Sequence, residues 1–409
     1  MRVAKWSAAT LVLCLLTASM APAGRADQHP SAQPARIVRG VVFDDANGNG
    51  QRDSGERGIP GVAVSDQFTV ATTAVDGSYE LHAAASADVA FVTAPDGWTA
   101  APRFWRALTT AAEQRADFAL HSRPAATDFT FVHASDTHVR TASLARIQRL
   151  REMIEKLQPR PAFVIITGDL IHDALRVPEA EARGYYEMFL AEIARFPVPV
   201  WTVPGNHEIF GIERQRSGIS ADHPLYAKKM YRHYLGPNYY SFTHGGLRFV
   251  ALDTADIDDM WYYGHVDAAQ LAWLKLDLAA APAARIVTFN HIPLASAVDA
   301  LHGYDDAPGA GSSLIRVNGK ISYRHVVSNT DEVLLVISPA RLEIALGGHM
   351  HTRESLVYEA GGVRVRFHQS GAIVAPNKVA GLSMTSGFTV YRVRNGKVDD
   401  GTFVPLDQP

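Results

Sequence analysis

Seven side chains between residues 136 and 351 have the types and spacing of a metal site. Two Asp, one Asn and four His make a set of carboxylate, amide and imidazole ligands. Such a set suits Mn, Fe, Zn or Co better than calcium or a thiolate-bound metal. The motifs that carry these residues are Asp136-Thr137-His138, Gly168-Asp169, Gly205-Asn206-His207-Glu208, His291 and Gly348-His349-Met350-His351.

Each motif follows an apolar, β-branched segment that predicts a buried strand. Open α/β sheets place their sites at the carboxyl ends of the strands, so five strands would bring ligands to one edge. A single histidine in such a place is more often a packed or surface residue. Five independent strand ends favour a metal centre. The predicted strands are FTFVHAS, AFVIIT, VPVWTV, RIVTFN and LEIAL.

Helical spacing alternates with these strands. Residues 143–157, 179–195 and 270–278 have apolar side chains at helical intervals. Alternating helices and nearly continuous apolar strands predict a layered α/β domain with a buried sheet. The segments VRVRFHQSG and GFTVYRVRNGKVDDGTFV return to strands and are expected to complete a second sheet. The glycines at 168, 205 and 348 allow tight turns and close backbone approach at the strand ends.

The first third of the chain has a different style. Residues 36–120 consist of short strands and turns, with Asp76-Gly77 and Asp96-Gly97 as turn signals. This pattern predicts a small all-β sandwich domain. A proline-bearing linker separates it from a second domain over residues 128–409.

Composition limits the classes of protein. A chain of 409 residues is too long for one ordinary core, and 47% apolar residues are enough to fold. The net charge of −3, with no basic stripe, argues against stable nucleic-acid binding. One cysteine excludes a disulfide scaffold and a zinc ribbon.

The N-terminus predicts a secretory signal peptide over residues 1–26. Arg2 and Lys5 precede the apolar run 11–16, and Ala21-Pro22-Ala23 fits a small-x-small cleavage site. The alternative, a membrane anchor, requires a longer apolar run than residues 8–23 provide. We therefore expect a secreted or periplasmic protein with no transmembrane segment.

The ordered set D-x-H, G-D, G-N-H-E, H and G-H-x-H resembles the calcineurin-like metallophosphoesterase family, from about Asp128 to the C-terminus. The resemblance implies a two-sheet α/β (α+β) sandwich flanked by helices, with a two-metal centre. It implies Asp169 as a bridging ligand and His207 as the acid near the leaving group. It implies Asp136, His138, Asp169 and His351 on the first metal, and Asp169, Asn206, His291 and His349 on the second.

Physical chemistry agrees with that carry-over. Two cations about 3.5–4 Å apart clamp a phosphoryl group and lower the pKa of a hydroxide that bridges them. This hydroxide attacks phosphorus in line while the cations neutralise the phosphoryl oxygens. An alkoxide leaving group needs a proton, which His207 is placed to give. The alternative is that His207 only shapes the pocket.

Three features stay open. Purple acid phosphatases of this superfamily carry a tyrosine ligand three residues after the bridging Asp, where this chain has His172, so no iron–tyrosinate chromophore is expected. The aromatic residues between 226 and 263 either line a substrate pocket or pack a helix and a hairpin. Residues 302–330 are a candidate loop over the cleft.

A second motif lies in the β region. Oxygen-bearing residues at positions 1, 3, 5, 9 and 12, with Gly50 at position 6, satisfy the pattern of a calcium loop. The stretch resembles calcium loops of B-type repeats in bacterial surface proteins, and its role would be structural. The alternative is an Asn/Gly/Asp-rich turn that needs no ion. The candidate ligands are Asp45, Asn47, Asn49, Asp53 and Glu56.

The sequence therefore predicts a secreted, dinuclear, metal-dependent phosphoesterase that acts on a small phosphate-ester substrate. A monoesterase and a phosphodiesterase or nucleotidase would share these ligands, so both stay open. A different class is a cell-surface binding protein that keeps the phosphoesterase domain as a scaffold. That class predicts eroded metal ligands, and every expected position is filled. The metal, the substrate and the oligomeric state are not predicted.

Overall fold

The computed structural model describes residues 36–101, 103–124, 126–281, 284–306, 312–379 and 381–407. All of them belong to one compact unit that spans residues 35–409. The predicted signal peptide, residues 1–26, lies outside the described residues. In the described ranges, no helix has the length and apolarity needed to cross a membrane.

The described chain begins with nine short strands in two sheets. One sheet has the order β4-β1-β9-β6, with β8 beside β1, and the other has the order β3-β2-β5-β7. Val38, Val64 and Phe118 are fully buried between them. The strands are β1 (Arg36–Asp44), β2 (Ala63–Ser65), β3 (Val70–Thr72), β4 (Ser78–Ala83), β5 (Val89–Val92), β6 (Trp98–Ala100), β7 (Trp105–Ala107), β8 (Glu113–Arg115) and β9 (Phe118–Ser122).

The rest of the chain alternates strands and helices. Three short 3₁₀ helices are Thr141–Ser143, Asn206–Glu208 and Pro339–Arg341 in the described part. In chain order the other elements are β10 (Phe129–Ala134), α1 (Leu144–Glu155), β11 (Val164–Thr167), α2 (Glu179–Ile193), β12 (Val200–Val203), α3 (Arg214–Ser217), α4 (Lys228–Leu235), β13 (Tyr240–His244), β14 (Leu247–Leu252), β15 (Ala255–Asp258), β16 (Trp261–Gly264), α5 (Ala268–Ala279), β17 (Arg285–Asn290), α6 (Val298–His302), β18 (Leu314–Val317), β19 (Lys320–Tyr323), α7 (Thr330–Ile337), β20 (Leu342–Gly347), β21 (Glu354–Ala360), β22 (Val363–Gln369), β23 (Asn377–Val379), β24 (Leu382–Met384), β25 (Gly387–Arg394), β26 (Lys397–Val398) and β27 (Thr402–Pro405).

Two six-stranded sheets form the centre of this part. The first has the order β12-β11-β10-β25-β26, with β27 beside β25, and the second has the order β13-β14-β17-β20-β22-β21. Strands β10, β11 and β12 run parallel to one another, and so do β14, β17, β20 and β22. Parallel neighbours end at the same edge of a sheet, so both sheets bring their strand ends to one side.

Alternating side chains on β10 separate the layers. Phe131 faces the second sheet, where its ring lies 5.5 Å from that of Phe249. Val132 faces the opposite way, into a cluster with Ile147 of α1 and Tyr186 of α2. Helices α5 and α7 cover the second sheet with Trp273 and Val333, among others. The predicted two-sheet α/β sandwich flanked by helices, preceded by an all-β region, is confirmed.

The β region packs directly on the second sheet. Nε2 of Gln67 donates to the carbonyl of Tyr239 over 2.9 Å, and the Tyr239 hydroxyl donates back to the Gln67 carbonyl over 2.7 Å. Nε1 of Trp273 donates to Oγ of Ser65 over 3.1 Å. The predicted domain bounds, 36–120 and 128–409, stay a prediction because these residues belong to one compact unit.

Candidate metal centre

The candidate ligands come from the carboxyl ends of strands in both sheets. Those that follow β10, β11 and β12 belong to the first sheet, and those that follow β17 and β20 belong to the second. The structure brings all seven side chains together where these strands end. They are Asp136, His138, Asp169, Asn206, His291, His349 and His351.

Four of these side chains form the first cluster. Oδ1 of Asp136 lies 3.2 Å from Nε2 of His351, and Nε2 of His351 lies 3.1 Å from Nε2 of His138. Nε2 of His138 lies 3.6 Å from Oδ2 of Asp169. One ligand atom from each residue falls within 4.8 Å of the others, so the four could hold one cation.

The second cluster is built around His291. Its Nε2 lies 3.2 Å from Oδ1 of Asp169, 3.2 Å from Oδ1 of Asn206 and 3.2 Å from Nδ1 of His349. Its Nδ1 lies 2.7 Å from the Thr167 carbonyl. A carbonyl only accepts, so Nδ1 carries a proton there, and in a neutral ring Nε2 is the atom that offers its lone pair.

Asp169 belongs to both clusters through different oxygens. Oδ2 faces His138 and Oδ1 faces His291, so the carboxylate lies between the two groups of imidazoles. The close packing of the Gly205 backbone against this carboxylate leaves no room for a side chain at position 205. A Cβ on Gly205 would lie 2.2 Å from Oδ1 of Asp169. The carboxylate is thus placed as a bridging ligand would be.

The donor set fits two cations of the transition series. Oδ1 of Asp136 is buried and accepts no well-aligned hydrogen bond from the described residues, although Nε2 of His351 lies 3.2 Å away. A buried carboxylate oxygen in this condition costs free energy unless a cation or a charged donor satisfies it. Carboxylate, amide oxygen and imidazole are borderline ligands that suit Mn, Fe or Zn.

Protons and metal ions would compete for the same side chains of the candidate centre. Burial opposes ionisation of Asp136, yet its neighbour His351 brings the pKa of Asp136 down to about 2. Burial likewise opposes protonation of His291, but Asp169 raises the pKa of His291 to about 9. The pKa of His351 is also raised, against burial, by Asp136. In the ion-free site, protons on these two imidazoles balance the two carboxylates, and cations would displace them.

Five candidate ligands adopt a left-handed backbone conformation, which is uncommon outside glycine. In the described chain the φ angles are 55° for Asp136, 40° for His138, 47° for Asp169, 70° for His349 and 51° for His351. Each such residue costs about 1–3 kcal/mol and persists only where its surroundings enforce it. Concentrated strain of this kind is typical of functional sites.

The chain was compared with families of known proteins. Residues 129–353, more than half of the chain, match the model of calcineurin-like phosphoesterases. Residues 46–123 match the model of the N-terminal region of calcineurin-like phosphoesterases. The chain belongs to the calcineurin-like phosphoesterase family. The predicted family is confirmed. Members of this family bind divalent metals.

Similar proteins act on different phosphate esters. The chain is 30% identical over 44% of its length to a cAMP/cGMP dual specificity phosphodiesterase of Mycobacterium tuberculosis, of which it covers 54%. It is 28% identical over 35% of its length to a serine/threonine-protein phosphatase of Danio rerio, of which it covers 44%. A third is a probable cyclic nucleotide phosphodiesterase of Rhodococcus erythropolis, 29% identical over 40% of the chain and 52% of the relative. The chain spans about half the length of these relatives.

His207 lies beside the first cluster of candidate ligands and is partly exposed. Its ring lies 4.6 Å from that of His138, and its Nε2 lies 3.9 Å from Oδ2 of Asp169. Its Nδ1 lies 2.5 Å from the carbonyl of His172, so Nδ1 carries a proton and Nε2 faces the centre. This orientation suits proton transfer through Nε2.

His172 turns its side chain away from the centre. Its Nε2 lies 3.0 Å from Nη1 of Arg140, and its ring lies 5.8 Å from that of Tyr185. Burial, together with the charge of Arg140, lowers the pKa of His172. The position that carries tyrosine in purple acid phosphatases therefore contributes a backbone carbonyl to His207 and no ligand atom.

Glu208 supports the turns that carry two of the candidate ligands. Its buried carboxylate accepts from the backbone N–H groups of Leu170 over 2.8 Å, Ile171 over 3.0 Å and Gly205 over 2.6 Å. It therefore ties the turn after Asp169 to the turn before Asn206. Glu208 ends the G-N-H-E motif, but the motif does not show that its side chain turns back to these backbone N–H groups.

A group of two aromatic residues and one arginine borders the centre. The Tyr262 ring stands perpendicular to that of His349, with ring centres 5.9 Å apart. The guanidinium of Arg324 lies 5.3 Å from the Tyr262 ring and 5.5 Å from the Trp261 ring. These residues lie within the two segments left open from sequence, 226–263 and 302–330. No spacing rule singles them out.

Other aromatic residues of the 226–263 segment pack instead. Tyr231, Tyr239, Tyr240 and Phe242 are all buried. The Tyr240 hydroxyl donates to the Thr202 carbonyl over 2.8 Å. For these residues the packing alternative is the one that the structure supports.

The calcium-loop residues come together in the β region. Oδ1 of Asp45 accepts from the N–H of Gly48 over 2.9 Å, and Oδ2 accepts from the N–H of Gly50 over 2.8 Å. The amide groups of Asn47 and Asn49 each lie 2.7 Å from Oδ2 of Asp53. Glu56 accepts from the N–H groups of Ala46 and Asp53 over 3.0 and 2.9 Å. The loop closes with its own hydrogen bonds, so calcium stays a prediction.

Proposed function

We propose that this protein is a secreted phosphoesterase that uses a dinuclear metal centre to hydrolyse a small phosphate ester. The single observation that carries the proposal is the position of Asp169, whose two oxygens face two separate groups of ligands. Two cations that share one carboxylate can stabilise both the attacking and the leaving oxygen of a phosphoryl transfer. Secretion rests on the predicted signal peptide alone.

The residues divide the work in this proposal. Asp136, His138 and His351 would hold one cation, Asn206, His291 and His349 the other, and Asp169 both. When bound, the cations supply positive charge for the phosphoryl oxygens and activate water. His207 gives the leaving-group oxygen a proton from Nε2, while the carbonyl of His172 keeps its ring in that orientation.

Relatives that cleave diesters and relatives that cleave monoesters share this family, so the ligand set does not choose between them. We propose a phosphodiesterase or nucleotidase as the second candidate, because two of the three relatives above are named for cyclic nucleotides. A different class, a cell-surface binding protein on a phosphoesterase scaffold, is disfavoured because none of the seven ligand positions is eroded.

The test is hydrolysis of p-nitrophenyl phosphate beside bis-p-nitrophenyl phosphate, on protein stripped of metal and reloaded with Mn²⁺, Zn²⁺ or Fe²⁺. Turnover that depends on added metal supports the reaction class, and the faster ester selects the monoesterase or the diesterase. Two bound ions without turnover of either ester would indicate a narrow substrate. A protein that binds no metal contradicts the proposal and makes the binding-protein alternative the leading one.

A further inference from the structure

Three residues at the rim of the centre have no role in the proposed reaction. Trp261 and Tyr262 belong to β16, which pairs with β15 in a hairpin, and Arg324 follows β19 of a second hairpin. We call them the rim cluster. The tip of the first hairpin is held by Asp259, whose Oδ1 lies 2.5 Å from Nη2 of Arg214. This contact ties the tip of the first hairpin to α3.

Tyr262 is the member closest to the candidate ligands. Its ring is half-buried and meets the His349 ring at 90° with 5.9 Å between centres. The hydroxyl makes no hydrogen bond to protein in the described part of the chain. A phenol hydroxyl is protonated over the neutral range, so this group can donate a hydrogen bond beside the His349 ring.

Arg324 contacts both the ring and the backbone carbonyl of Tyr262. Its side chain is 3% exposed, and its guanidinium contacts both aromatic rings of the rim cluster. Nε donates to the Ser312 carbonyl over 2.9 Å, and Nη1 donates to the Tyr262 carbonyl over 3.3 Å. No carboxylate of the described residues forms an ion pair with it. A buried cation stacked on aromatic rings is stabilised by the ring quadrupoles and adds positive potential near the site.

We propose that Tyr262 is a substrate-binding residue whose hydroxyl donates a hydrogen bond to a phosphoryl oxygen of the substrate. Arg324 is a positioning residue that fixes the Tyr262 ring and backbone. The inference rests on the proposed function, because the phosphoryl group is held there by the metal centre. A neutral donor beside cations adds a directed contact to an anionic oxygen, which is stronger than a contact between neutral groups.

The neighbouring Tyr263 supplies a matched control. It lies on the same strand and points to the other face of the hairpin, where its hydroxyl donates to Oδ2 of Asp256 over 3.1 Å. Tyr262→Phe and Tyr263→Phe therefore remove the same atom from the same strand. Only the first removes a donor that lacks a protein partner.

The first experiment measures inorganic phosphate binding by calorimetry to wild-type, Tyr262→Phe and Tyr263→Phe proteins loaded with Mn²⁺. Removing a hydrogen bond to a charged group lowers affinity by about 10- to 100-fold. We expect this loss in Tyr262→Phe, with Mn²⁺ content unchanged, and less than a twofold change in Tyr263→Phe. Equal phosphate affinity in Tyr262→Phe and wild type overturns the inference, as does a metal-loaded wild type that binds no phosphate.

The second experiment measures kcat/KM on the better of the two nitrophenyl esters. We expect Tyr262→Phe to lose about tenfold or more, and Arg324→Lys to lose less in the Tyr262→Phe background than in wild type, because its effect acts through the ring. Additive losses overturn the positioning role. A wild type that binds no metal fails the proposed function itself, whereas an active wild type with a silent Tyr262→Phe fails the inference alone.

Discussion

The backbone N–H of His207 donates to Oδ1 of Asp169 over 3.0 Å. The residue proposed as the acid is thereby tied through its own backbone to the carboxylate proposed to bridge the cations. Movement of one displaces the other, so the proton donor keeps its place relative to the metals. The predictions for these two residues must therefore separate loss of metal from loss of proton transfer.

Asp169→Asn is expected to remove the bridging charge and to lower metal content and turnover together. The amide keeps the shape of the side chain but offers one neutral oxygen, so one cluster loses an anionic ligand. Metal analysis beside turnover checks this, with circular dichroism to follow folding. Asp173→Asn is the control, because that carboxylate pairs with Arg176 over 3.1 Å and belongs to neither cluster. Full activity and full metal content in Asp169→Asn would refute the bridging role.

His207→Ala is expected to keep its metals and to lose about 10²- to 10⁴-fold in kcat, the usual share of a general acid. The loss depends on the leaving group. An alkyl phosphate needs the proton more than p-nitrophenyl phosphate does, because nitrophenolate is stable without it. Steady-state kinetics on both esters checks the difference. An equal loss on the two esters would instead support the alternative that His207 only shapes the pocket.

Metal-free protein is expected to lose stability as the pH rises from about 6.5 to about 9. The pKa of His291 is raised by Asp169 to about 9 from an ordinary 6.5, so the folded state binds the proton more tightly than the unfolded state. This contribution, about 3 kcal/mol, is complete below pH 6.5 and is lost as the pH rises through 9.

Urea denaturation in chelator at several pH values measures that slope. His291→Gln removes the titrating group and is expected to flatten it. Saturating metal is expected to abolish the dependence of stability on pH between about 6.5 and 9, because the metal-bound imidazoles have already lost their protons. A metal-free protein whose stability is constant or rises over this interval would contradict the charge arrangement of the site.

Calcium is expected to raise the melting temperature if the loop after β1 binds it. At a hundredfold excess of calcium over the dissociation constant, the free energy of unfolding rises by about 2.7 kcal/mol. Glu56→Gln, which removes the acidic residue at position 12, is expected to abolish it, whereas Asp117→Asn outside the loop leaves it unchanged. Differential scanning calorimetry with calcium or magnesium measures both. No calcium-specific shift in wild type would favour the ion-free turn.

Gly236→Ala is expected to destabilise the protein by about 2–3 kcal/mol. Gly236 has a φ of 91°, and a Cβ there would lie 2.4 Å from Nε1 of Trp105 in the β region. The substitution therefore adds backbone strain and a clash at the junction of the two parts. Gly184→Ala in α2 is the control with the opposite sign, because open space surrounds it and alanine favours helix by about 0.5–1 kcal/mol. Urea denaturation of both variants measures the difference.

Sequence patterns anticipated the parts of the fold that depend on local periodicity. The helix predicted over residues 143–157 is α1, at Leu144–Glu155, and the helix predicted over 179–195 is α2, at Glu179–Ile193. The ligand motifs also converge as expected, because parallel strands end at one edge. Periodicity and strand direction are enough for both results.

Other features were beyond the sequence because they depend on side-chain direction between distant segments. His172 was left open, and only the fold shows its ring turned to Arg140. Tyr262 and Arg324 stand 62 positions apart, on two hairpins that no pattern pairs. The contact of Gln67 with Tyr239 likewise depends on how one sheet packs on another. Long-range packing, unlike strand formation, leaves no periodic trace.

The left-handed backbone at five candidate ligands implies that metal binding and the stability of the metal-free fold oppose each other in this chain. Glycine at Asp136 or His351 would relax the backbone by about 1 kcal/mol or more and also end metal binding. A metal-free protein could thus gain thermal stability by giving up its centre, as stabilising substitutions at functional sites often do at the expense of activity. Bound metal would stabilise the folded protein and so outweigh the cost of the strained ligands. A relative with decayed ligands and a higher melting temperature would be the natural product of the same fold without its reaction.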